Sequence, residues 1–227
     1  MTASATRGSS ALQLSDDEWA TRRALLEATR ELLGAGLNGG MAGNLSLRFG
    51  QGMLITPSGV HPRAMRAEQM VPVGANGQAE GPCLPSSEWR FHLDLYLARP
   101  EAGAIVHTHA PFATALACQR REIPAFHYTV ARFGGDQVRC ADYATFGTTE
   151  LSQAVLAAMR GRSACLMANH GALVIGRDLR EALDRAAELE QLCQIYWHAL
   201  QGGEPVLLDA EQMSQVHQRY RSYGQPG

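Results

Sequence analysis

The pattern of apolar and polar positions predicts alternating helices and strands along most of the chain. Apolar residues spaced like one face of a helix, bounded by capping residues, glycine or proline, predict helices. The predicted helices lie at about 16–33, 88–98, from Pro111, 150–160, 178–200 and from Asp209. Short apolar or alternating runs predict strands. The predicted strands lie in 45–49 and 53–59, at 103–107 and 163–168, and at 173–175, which either continues the preceding strand or pairs with it.

Together these elements predict one α/β domain with a mostly antiparallel central sheet that is flanked by helices on both sides. The domain is expected to span 15–227, and 1–14 is expected to be a disordered tail. For the helix at 88–98, either Ser86 or Ser87 is the expected N-cap. The expected buried face of this helix consists of Trp89, Leu93, Tyr96 and Leu97.

Composition excludes several classes of protein. The 227 residues suffice for one sizeable core, and 20 basic against 22 acidic residues give a net charge of −2, without a nucleic-acid-binding footprint. No apolar stretch approaches the ~20 residues that span a bilayer, and the N-terminus lacks the apolar core of a secretory signal. The five cysteines form no CxxC pair, so we expect reduced thiols in a cytoplasmic protein.

Three histidines stand at the ends of predicted strands. His107 and His109, in AIVHTHAPF, are two residues apart, so on an extended strand their imidazoles project from the same face. His170 follows another apolar run, in NHG, where Gly171 permits a tight turn. Three histidines with an open fourth position are typical of a catalytic zinc site. The alternative is that they are unrelated loop histidines, since a short motif is only a hypothesis.

Polar residues at three other places could bind an anion or could serve only local structure. Ser86 and Ser87 precede a helix whose first N–H groups attract anions, or they only cap it. Ser58 and Gly59, in TPSG, allow backbone N–H groups to face an anion, or they form a simple turn. Asn44, just after a glycine-rich turn, has the same ambiguity.

Glu88 is the carboxylate nearest to these polar residues in sequence. Beside a metal it could be a fourth ligand or a general acid/base. His92 lies one helical turn later on the same face, where it could be a rival ligand or, more in keeping with a helix position, a packing residue or a residue that supports a ligand from behind it. The remaining histidines are assigned to loops or helix surfaces and are His61, His127, His198 and His217.

Several stretches in one order make the chain resemble the class II aldolase and adducin family, and most of all its fuculose-phosphate aldolase branch. These stretches are GNLSLR, LITPSG, SSEWRFH, AIVHTHAPFATALA, IPAFHY, ADYATFGT and NHG. They fall within residues 15–224, and the combination of HTH, NHG and an upstream SSE is highly specific.

The resemblance implies a site that contains Zn²⁺ or another divalent transition metal. It assigns the metal to His107, His109 and His170, with Glu88 on the metal at rest and acting as acid/base when substrate displaces it. It implies a substrate-phosphate pocket made of Asn44, Ser58, Gly59, Ser86 and Ser87. It implies that Tyr128 is a catalytic residue acting in a neighbouring subunit's site and that Tyr223 closes the site as a lid. Tyr220 stands where the aldolase has another aromatic residue, so the shape of the lid can differ.

The implied reaction is the reversible cleavage of a ketose 1-phosphate, similar to L-fuculose 1-phosphate, into dihydroxyacetone phosphate and an aldehyde. The implied partners are a small phosphorylated sugar and three further copies of the chain, in a homotetramer with active sites at subunit contacts. The chain has no lysine, which excludes an aldolase that forms a Schiff base. A decarboxylase of a phosphorylated keto sugar acid and a ketose-phosphate 4-epimerase use the same scaffold and stay open. A non-catalytic, adducin-like scaffold would not need the histidines and Glu88.

Overall fold

A seven-stranded sheet forms the centre of the structure, a computed structural model that describes residues 15–223. Its strands are β1 (Asn44–Phe49), β2 (Gly52–Ile55), β3 (Val71–Val73), β4 (Ala104–Thr108), β5 (Arg139–Ala141), β6 (Ala164–Met167) and β7 (Gly171–Gly176). They are arranged in the order β3-β2-β1-β4-β7-β6-β5. Every neighbouring pair is antiparallel except β5 and β6. The prediction of a mostly antiparallel sheet is therefore confirmed, whereas the predicted tail at 1–14 lies outside the described residues.

Helices cover both faces of the sheet, as predicted. One face packs against α1 (Asp16–Gly34), α3 (Pro111–Cys118) and α5 (Leu179–Gln201). The other face packs against α2 (Trp89–Ala98) and α4 (Thr149–Ala158). The last helix, α6 (Ala210–Arg221), packs against a 3₁₀ helix at Tyr128–Phe133. The predicted bounds of the longer helices agree with these to within a residue or two.

Strand β4 separates two hydrophobic cores, because successive side chains of a strand point to opposite faces. Ala104 and Val106 join the core under α1, α3 and α5, whereas Ile105 joins the core under α2 and α4. His107 lies two residues after Ile105, so its side chain points to the same face of the sheet. Its ring lies edge-on to Phe91 of α2, with 5.7 Å between ring centroids. The alternation therefore directs His107 toward the side of the sheet on which α2 begins.

Two details of α2 were predicted wrongly. Leu97, expected in the buried face, is 59% exposed. The buried stripe runs through Phe91, His92, Leu95 and Tyr96, and Leu97 lies roughly 100° further round the helix than Tyr96. The expected serine cap is also absent. The N-cap is Glu88, which makes no side-chain cap bond, while the Ser86 hydroxyl accepts a hydrogen bond from the Glu88 N–H.

The open question about residues 173–175 is resolved by strand pairing. They belong to β7, which pairs with β6 through a tight turn rather than continuing it. The same strand pairs with β4 on its other side. All five cysteines are free thiols, and no helix of residues 15–223 is long and apolar enough to cross a membrane.

Candidate metal centre and adjoining cleft

The pairing of β4 with β7 brings the three predicted histidines together. His107 pairs with Leu173, and Thr108 pairs with Ala172, so the turn that carries His170 lies beside the end of β4. Gly171 allows this approach, because a Cβ atom there would lie 2.3 Å from the carbonyl oxygen of Thr108. The sheet register therefore brings together histidines that are more than sixty residues apart in sequence.

Imidazole nitrogens of the three histidines and carboxylate oxygens of Glu88 point into one small space. The Nδ1 of His107 donates a hydrogen bond to the carbonyl of Ala172, so its Nε2 faces inward. That Nε2 lies 3.0 Å from Nε2 of His109 and 3.2 Å from Oε2 of Glu88. Nε2 of His170 lies 3.2 Å from Oε1 of Glu88. The ligand atoms of the three histidines all lie within 4.8 Å of one another.

Acceptor atoms at these separations repel one another unless a proton or a cation lies between them. Oε1 of Glu88 is buried and has no hydrogen-bond partner within the described residues, which is a further sign that a charge is needed there. Imidazole and carboxylate donors are ligands of zinc and related transition metals. The residues present therefore fit a divalent metal ion, and they keep room for a further ligand on the cleft side.

The electrostatics of the cluster favour metal binding at neutral pH. Burial, followed by the charge of neighbouring His107, lowers the pKa of His109 to about 4. The same two causes lower the pKa of His170 to about 4. Burial by itself raises the pKa of Glu88, but His107, His170 and the amide of Asn44 together lower it well below its usual range. Neutral imidazoles beside an ionised carboxylate are the protonation states that a metal ion requires.

Behind Glu88 lies a buried chain of hydrogen bonds. Nδ2 of Asn44 donates to Oε2 of Glu88 over 2.8 Å. Oδ1 of Asn44 lies 2.6 Å from Nε2 of His92, and Nδ1 of His92 lies 2.7 Å from Oγ of Ser46. Burial lowers the pKa of His92 to about 3. His92 is not one of the three clustered histidines, and its hydrogen bond to Asn44, which donates to Glu88, agrees with a residue that supports a ligand from behind it rather than with a rival ligand.

The other polar residues singled out in the sequence line one cleft together with this cluster. The cleft has a volume of about 330 Å³. Its walls include Asn44, Ser58, Gly59, Ser86, Ser87, Glu88, His109 and His170. Ser86 is buried and Ser87 is exposed, so the two hydroxyls lie at different depths. The structure therefore brings the predicted anion-binding residues and two of the three histidines, His109 and His170, into one continuous surface.

Three apolar residues at the same cleft were missed by sequence reasoning. Met41, Tyr143 and Phe146 line it, and each is more than half exposed. Exposed large apolar side chains beside a polar cleft indicate a binding surface for an apolar part of a ligand. Their sequence context, in irregular segments without periodicity, gave no signal for this role.

Asn38 was also missed. Its side-chain oxygen accepts a hydrogen bond of 2.8 Å from the backbone N–H of His109, which holds the end of the metal-facing segment. A Cβ atom at Gly43 would overlap the Asn38 side chain, so the glycine-rich turn is shaped around this contact. The sequence indicated a glycine-rich turn at this place, but it did not indicate that Asn38 hydrogen-bonds to His109.

Tyr128 and Tyr223 lie apart from the histidines within one chain. Both line a second pocket, formed by the 3₁₀ helix, α5 and α6, with a volume of about 490 Å³. The ring of Tyr128 stacks against Tyr220 with 6.4 Å between centroids and is half exposed. Tyr223 contacts Tyr220 edge-on, at 5.9 Å. A single copy therefore brings these tyrosines to each other and not to the metal cluster.

The chain also matches known proteins in sequence. The model of the family described as Class II Aldolase and Adducin N-terminal domain matches residues 23–197. The chain belongs to this class II aldolase family. The sequence resemblance to the family is thereby confirmed, and the histidine cluster is the group of residues that suits the divalent metal of class II aldolases.

Relatives of this family match nearly the whole chain. The 5-methylthioribulose-1-phosphate/5-deoxyribulose-1-phosphate aldolase of Rhodospirillum rubrum is 51% identical over 205 residues, which cover 90% of this chain and 93% of the relative. The L-fuculose phosphate aldolase of Escherichia coli K12 is 42% identical over 203 residues, covering 89% and 94%. A solved L-fuculose 1-phosphate aldolase is similar with a TM-score of 0.86 at 39% identity, covering 92% and 98%.

Proposed function

We propose that the protein is a metal-dependent aldolase that reversibly cleaves a ketose 1-phosphate into dihydroxyacetone phosphate and an aldehyde. The observation that carries the proposal is a cluster of three imidazoles and the Glu88 carboxylate, of which His109, His170 and Glu88 line the same cleft as a set of hydroxyl and amide groups. The first group suits a divalent metal, for which we propose zinc. The second group suits a phosphate, which class II relatives carry in the substrates that their names state.

In this proposal each group of side chains has a separate role in the reaction. A divalent metal held by His107, His109 and His170 supplies Lewis-acid polarisation at the substrate carbonyl. Asn44, Ser58, Gly59, Ser86 and Ser87 bind and orient the phosphate end. Glu88, whose Oε1 is the unpartnered oxygen, moves a proton at the carbon beside the carbonyl. Tyr128 of the partner subunit handles the proton of the aldehyde oxygen, and Tyr223 covers the site.

The reaction balances with these groups and needs no oxidant or reductant. Cleavage breaks the C3–C4 bond and the O–H bond at C4, so the C4 oxygen becomes an aldehyde carbonyl. The electron pair of the broken C–C bond moves into the C2–C3 unit, which becomes an enediolate. The proton lost from the C4 hydroxyl is matched by one that Glu88 takes up and then delivers to C3, which yields dihydroxyacetone phosphate and leaves the number of protons unchanged. In the reverse direction Glu88 removes that proton.

The aldehyde end of the substrate is proposed to terminate in an apolar group. Met41, Tyr143 and Phe146 line the cleft where such a group would be covered. The names of the relatives include substrates that end in a deoxy carbon or a methylthio group, such as 5-deoxyribulose 1-phosphate. We therefore propose two candidates of this kind, L-fuculose 1-phosphate and a 5-substituted 5-deoxyribulose 1-phosphate.

A panel of ketose 1-phosphates tests the function and its substrate together. Production of dihydroxyacetone phosphate from L-fuculose 1-phosphate, 5-deoxyribulose 1-phosphate and 5-methylthioribulose 1-phosphate is compared with production from ribulose 1-phosphate, which keeps the terminal hydroxyl. We expect the deoxy substrates to have the higher kcat/KM. The terminal hydroxyl of ribulose 1-phosphate would lie against an apolar wall without a hydrogen-bond partner, which lowers the affinity. Carbon dioxide release from a phosphorylated keto acid, or epimerised product without cleavage, would instead support a decarboxylase or an epimerase. No turnover and no metal would support a scaffold.

The phosphate should be required. We expect the free ketose to have a kcat/KM lower by about 10³-fold or more than the 1-phosphate, since several hydrogen bonds to a charged group are lost. The measurement compares the two substrates with the same preparation. The variant Ser87→Ala should lower kcat/KM for the 1-phosphate and leave kcat/KM for the free ketose unchanged, so the ratio of the two values should fall. Equal kcat/KM values for the two substrates in the native protein would contradict the pocket assignment.

Tyr128 is proposed to act in the site of another copy of the chain, within a homotetramer. Its ring lies in the pocket with Tyr220 and Tyr223, away from the histidines of its own chain. We expect Tyr128→Phe and Glu88→Gln to be almost inactive separately. Mixed oligomers, isolated by two affinity tags after co-expression, should regain activity, because some sites then contain neither change.

Two further measurements make this experiment decisive. Metal content of the Tyr128→Phe protein should equal that of the native protein, because Tyr128 is not one of the residues proposed to hold the metal. Tyr143→Phe, which removes the hydroxyl from a tyrosine of the cleft itself, serves as the matched variant, and mixing it with Glu88→Gln should give no recovery beyond its own activity. Verified mixed oligomers that stay inactive would place Tyr128 outside the partner's site.

A further inference from the structure

The buried chain behind Glu88 consists of groups whose hydrogen-bonding directions depend on one another. We use the name relay chain for Asn44, His92 and Ser46, which follow one another from Glu88 inward. His92 and Ser46 have no exposed surface, and Asn44 is 5% exposed. No water can therefore substitute for a missing partner without a rearrangement, and each donor must face an acceptor.

The inner end of the relay chain leaves two acceptors for the hydroxyl hydrogen of Ser46. The hydroxyl of Tyr96 donates to the carbonyl oxygen of Ser46 over 2.9 Å, since a carbonyl can only accept. Its single hydrogen is then used, so toward Oγ of Ser46, 3.0 Å away, it can only accept. The Ser46 hydrogen can therefore point either to the Tyr96 oxygen or to Nδ1 of His92, at 2.7 Å, and the outer end of the chain decides between them.

The outer end is fixed by the carboxylate. An ionised Glu88 only accepts, so the atom of Asn44 that faces Oε2 must be the amide nitrogen. The amide oxygen then faces His92, so Nε2 of His92 must carry the hydrogen. The opposite tautomer would place two lone pairs 2.6 Å apart, or would turn the amide oxygen toward the carboxylate. Only one direction of hydrogen bonding satisfies the whole chain.

We propose that His92 is a positioning residue that, through Asn44, keeps Oε2 of Glu88 occupied as an acceptor, so that Glu88 gains and loses its catalytic proton at Oε1. Within residues 15–223, Oε1 is the oxygen of Glu88 that has no hydrogen-bond partner. A proton on Oε2 would point at an amide N–H that cannot turn away, because its oxygen is held by His92. The role in catalysis rests on the proposed aldolase function, but the hydrogen-bond direction does not.

Neutron diffraction from deuterated crystals tests the direction by itself. We expect deuterium on Nε2 of His92, none on Nδ1, and the two deuterium atoms of the Asn44 amide on the atom that faces Glu88. Deuterium on Nδ1 alone, or an Asn44 oxygen that faces Glu88, would overturn the proposal. This result is independent of any substrate, so it stands even if the protein proves not to be an aldolase.

Kinetics of two His92 variants test the consequence. His92→Phe keeps a planar ring beside Phe91 but cannot donate to Asn44. We expect its kcat to fall by about 10- to 100-fold, the usual effect of removing an outer hydrogen-bond partner from a metal site. KM should change by less than about threefold, because four of the five proposed phosphate-binding residues, Ser58, Gly59, Ser86 and Ser87, do not contact His92. His92→Gln restores a donor amide to Asn44, and we expect it to recover most of the lost kcat.

Ser152→Ala is the matched control. Ser152 of α4 is fully buried, and its hydroxyl donates over 2.6 Å to Asp94 of α2, the helix that carries His92. Its loss should therefore destabilise the packing of α2 without touching the relay chain. We expect its Tm to fall comparably and its kcat to stay within about twofold of the native value. Equal losses of kcat in His92→Phe and Ser152→Ala, or no recovery in a folded His92→Gln protein, would overturn the positioning role. Metal content is measured in each variant, and we expect it to match the native protein.

Discussion

Replacing His107 and His109 by alanine is expected to remove the metal and to abolish turnover. The native chain should contain about one divalent metal ion, and the double variant less than a tenth of that, because a single imidazole and one carboxylate leave too few donors for tight binding. Sheet and helix content should persist, because His107 pairs with Asn44 of β1 through its backbone, which the change leaves in place, and His109 lies beyond the end of β4. Elemental analysis of dialysed protein, with circular dichroism, measures both.

A matched histidine variant separates metal loss from a general effect of removing imidazoles. His198→Ala removes an exposed histidine of α5 whose nearest aromatic neighbour is Phe112, at 5.8 Å between centroids. It should leave metal content and turnover at native values. A double variant of His107 and His109 that keeps its full metal content would refute the assignment of the site.

Glu88→Gln is expected to keep the metal and the fold but to reduce kcat by about 10²- to 10⁴-fold, the usual contribution of a general acid/base. The glutamine amide fits the structure in one orientation. Its oxygen accepts from Asn44 in place of Oε2, and its nitrogen lies where Oε1 approaches His170 at 3.2 Å. The variant is therefore nearly isosteric, but it has no oxygen left that can carry a proton.

Steady-state kinetics on the best ketose 1-phosphate, together with metal analysis, test this expectation. Glu101→Gln is the matched control, because it neutralises a largely exposed carboxylate whose only ion-pair partner in the described residues is Arg99. It should retain native turnover. Near-native kcat in Glu88→Gln would reduce Glu88 to a residue that begins α2.

Local sequence pattern was enough to predict the elements of the fold because each carries its own signal. The capping pair at Ser15 and Glu18 and the proline at residue 111 mark helix starts that the structure has. The error at Leu97 arose because packing between elements, rather than local sequence, determines which face of a helix is buried. Leu97 has the spacing of a buried residue, but the sheet contacts α2 along a stripe centred on other positions.

The site was predictable only in part, for a related reason. The spacing of His107 and His109 determines that they share a face, but nothing local indicates that β7 lies beside β4 and brings His170 to them. Family resemblance supplied that connection. Asn38 and His92 make hydrogen bonds to residues that are distant in sequence, and such bonds have no periodic signal in a sequence. The order of strands in the sheet had to be seen before their roles could be inferred.

The two outer strands of the sheet determine how copies of this protein can come together. Each consists of only three residues, and Pro72 in β3 has no N–H to offer a neighbouring strand. Short edges of this kind resist extension of the sheet by another molecule, the route that leads to fibrils. Within the described part of the chain, assembly is therefore left to helix and loop surfaces such as the one that carries Tyr128. A preparation that aggregates on heating should do so through unfolding and not through edge-to-edge growth of native molecules.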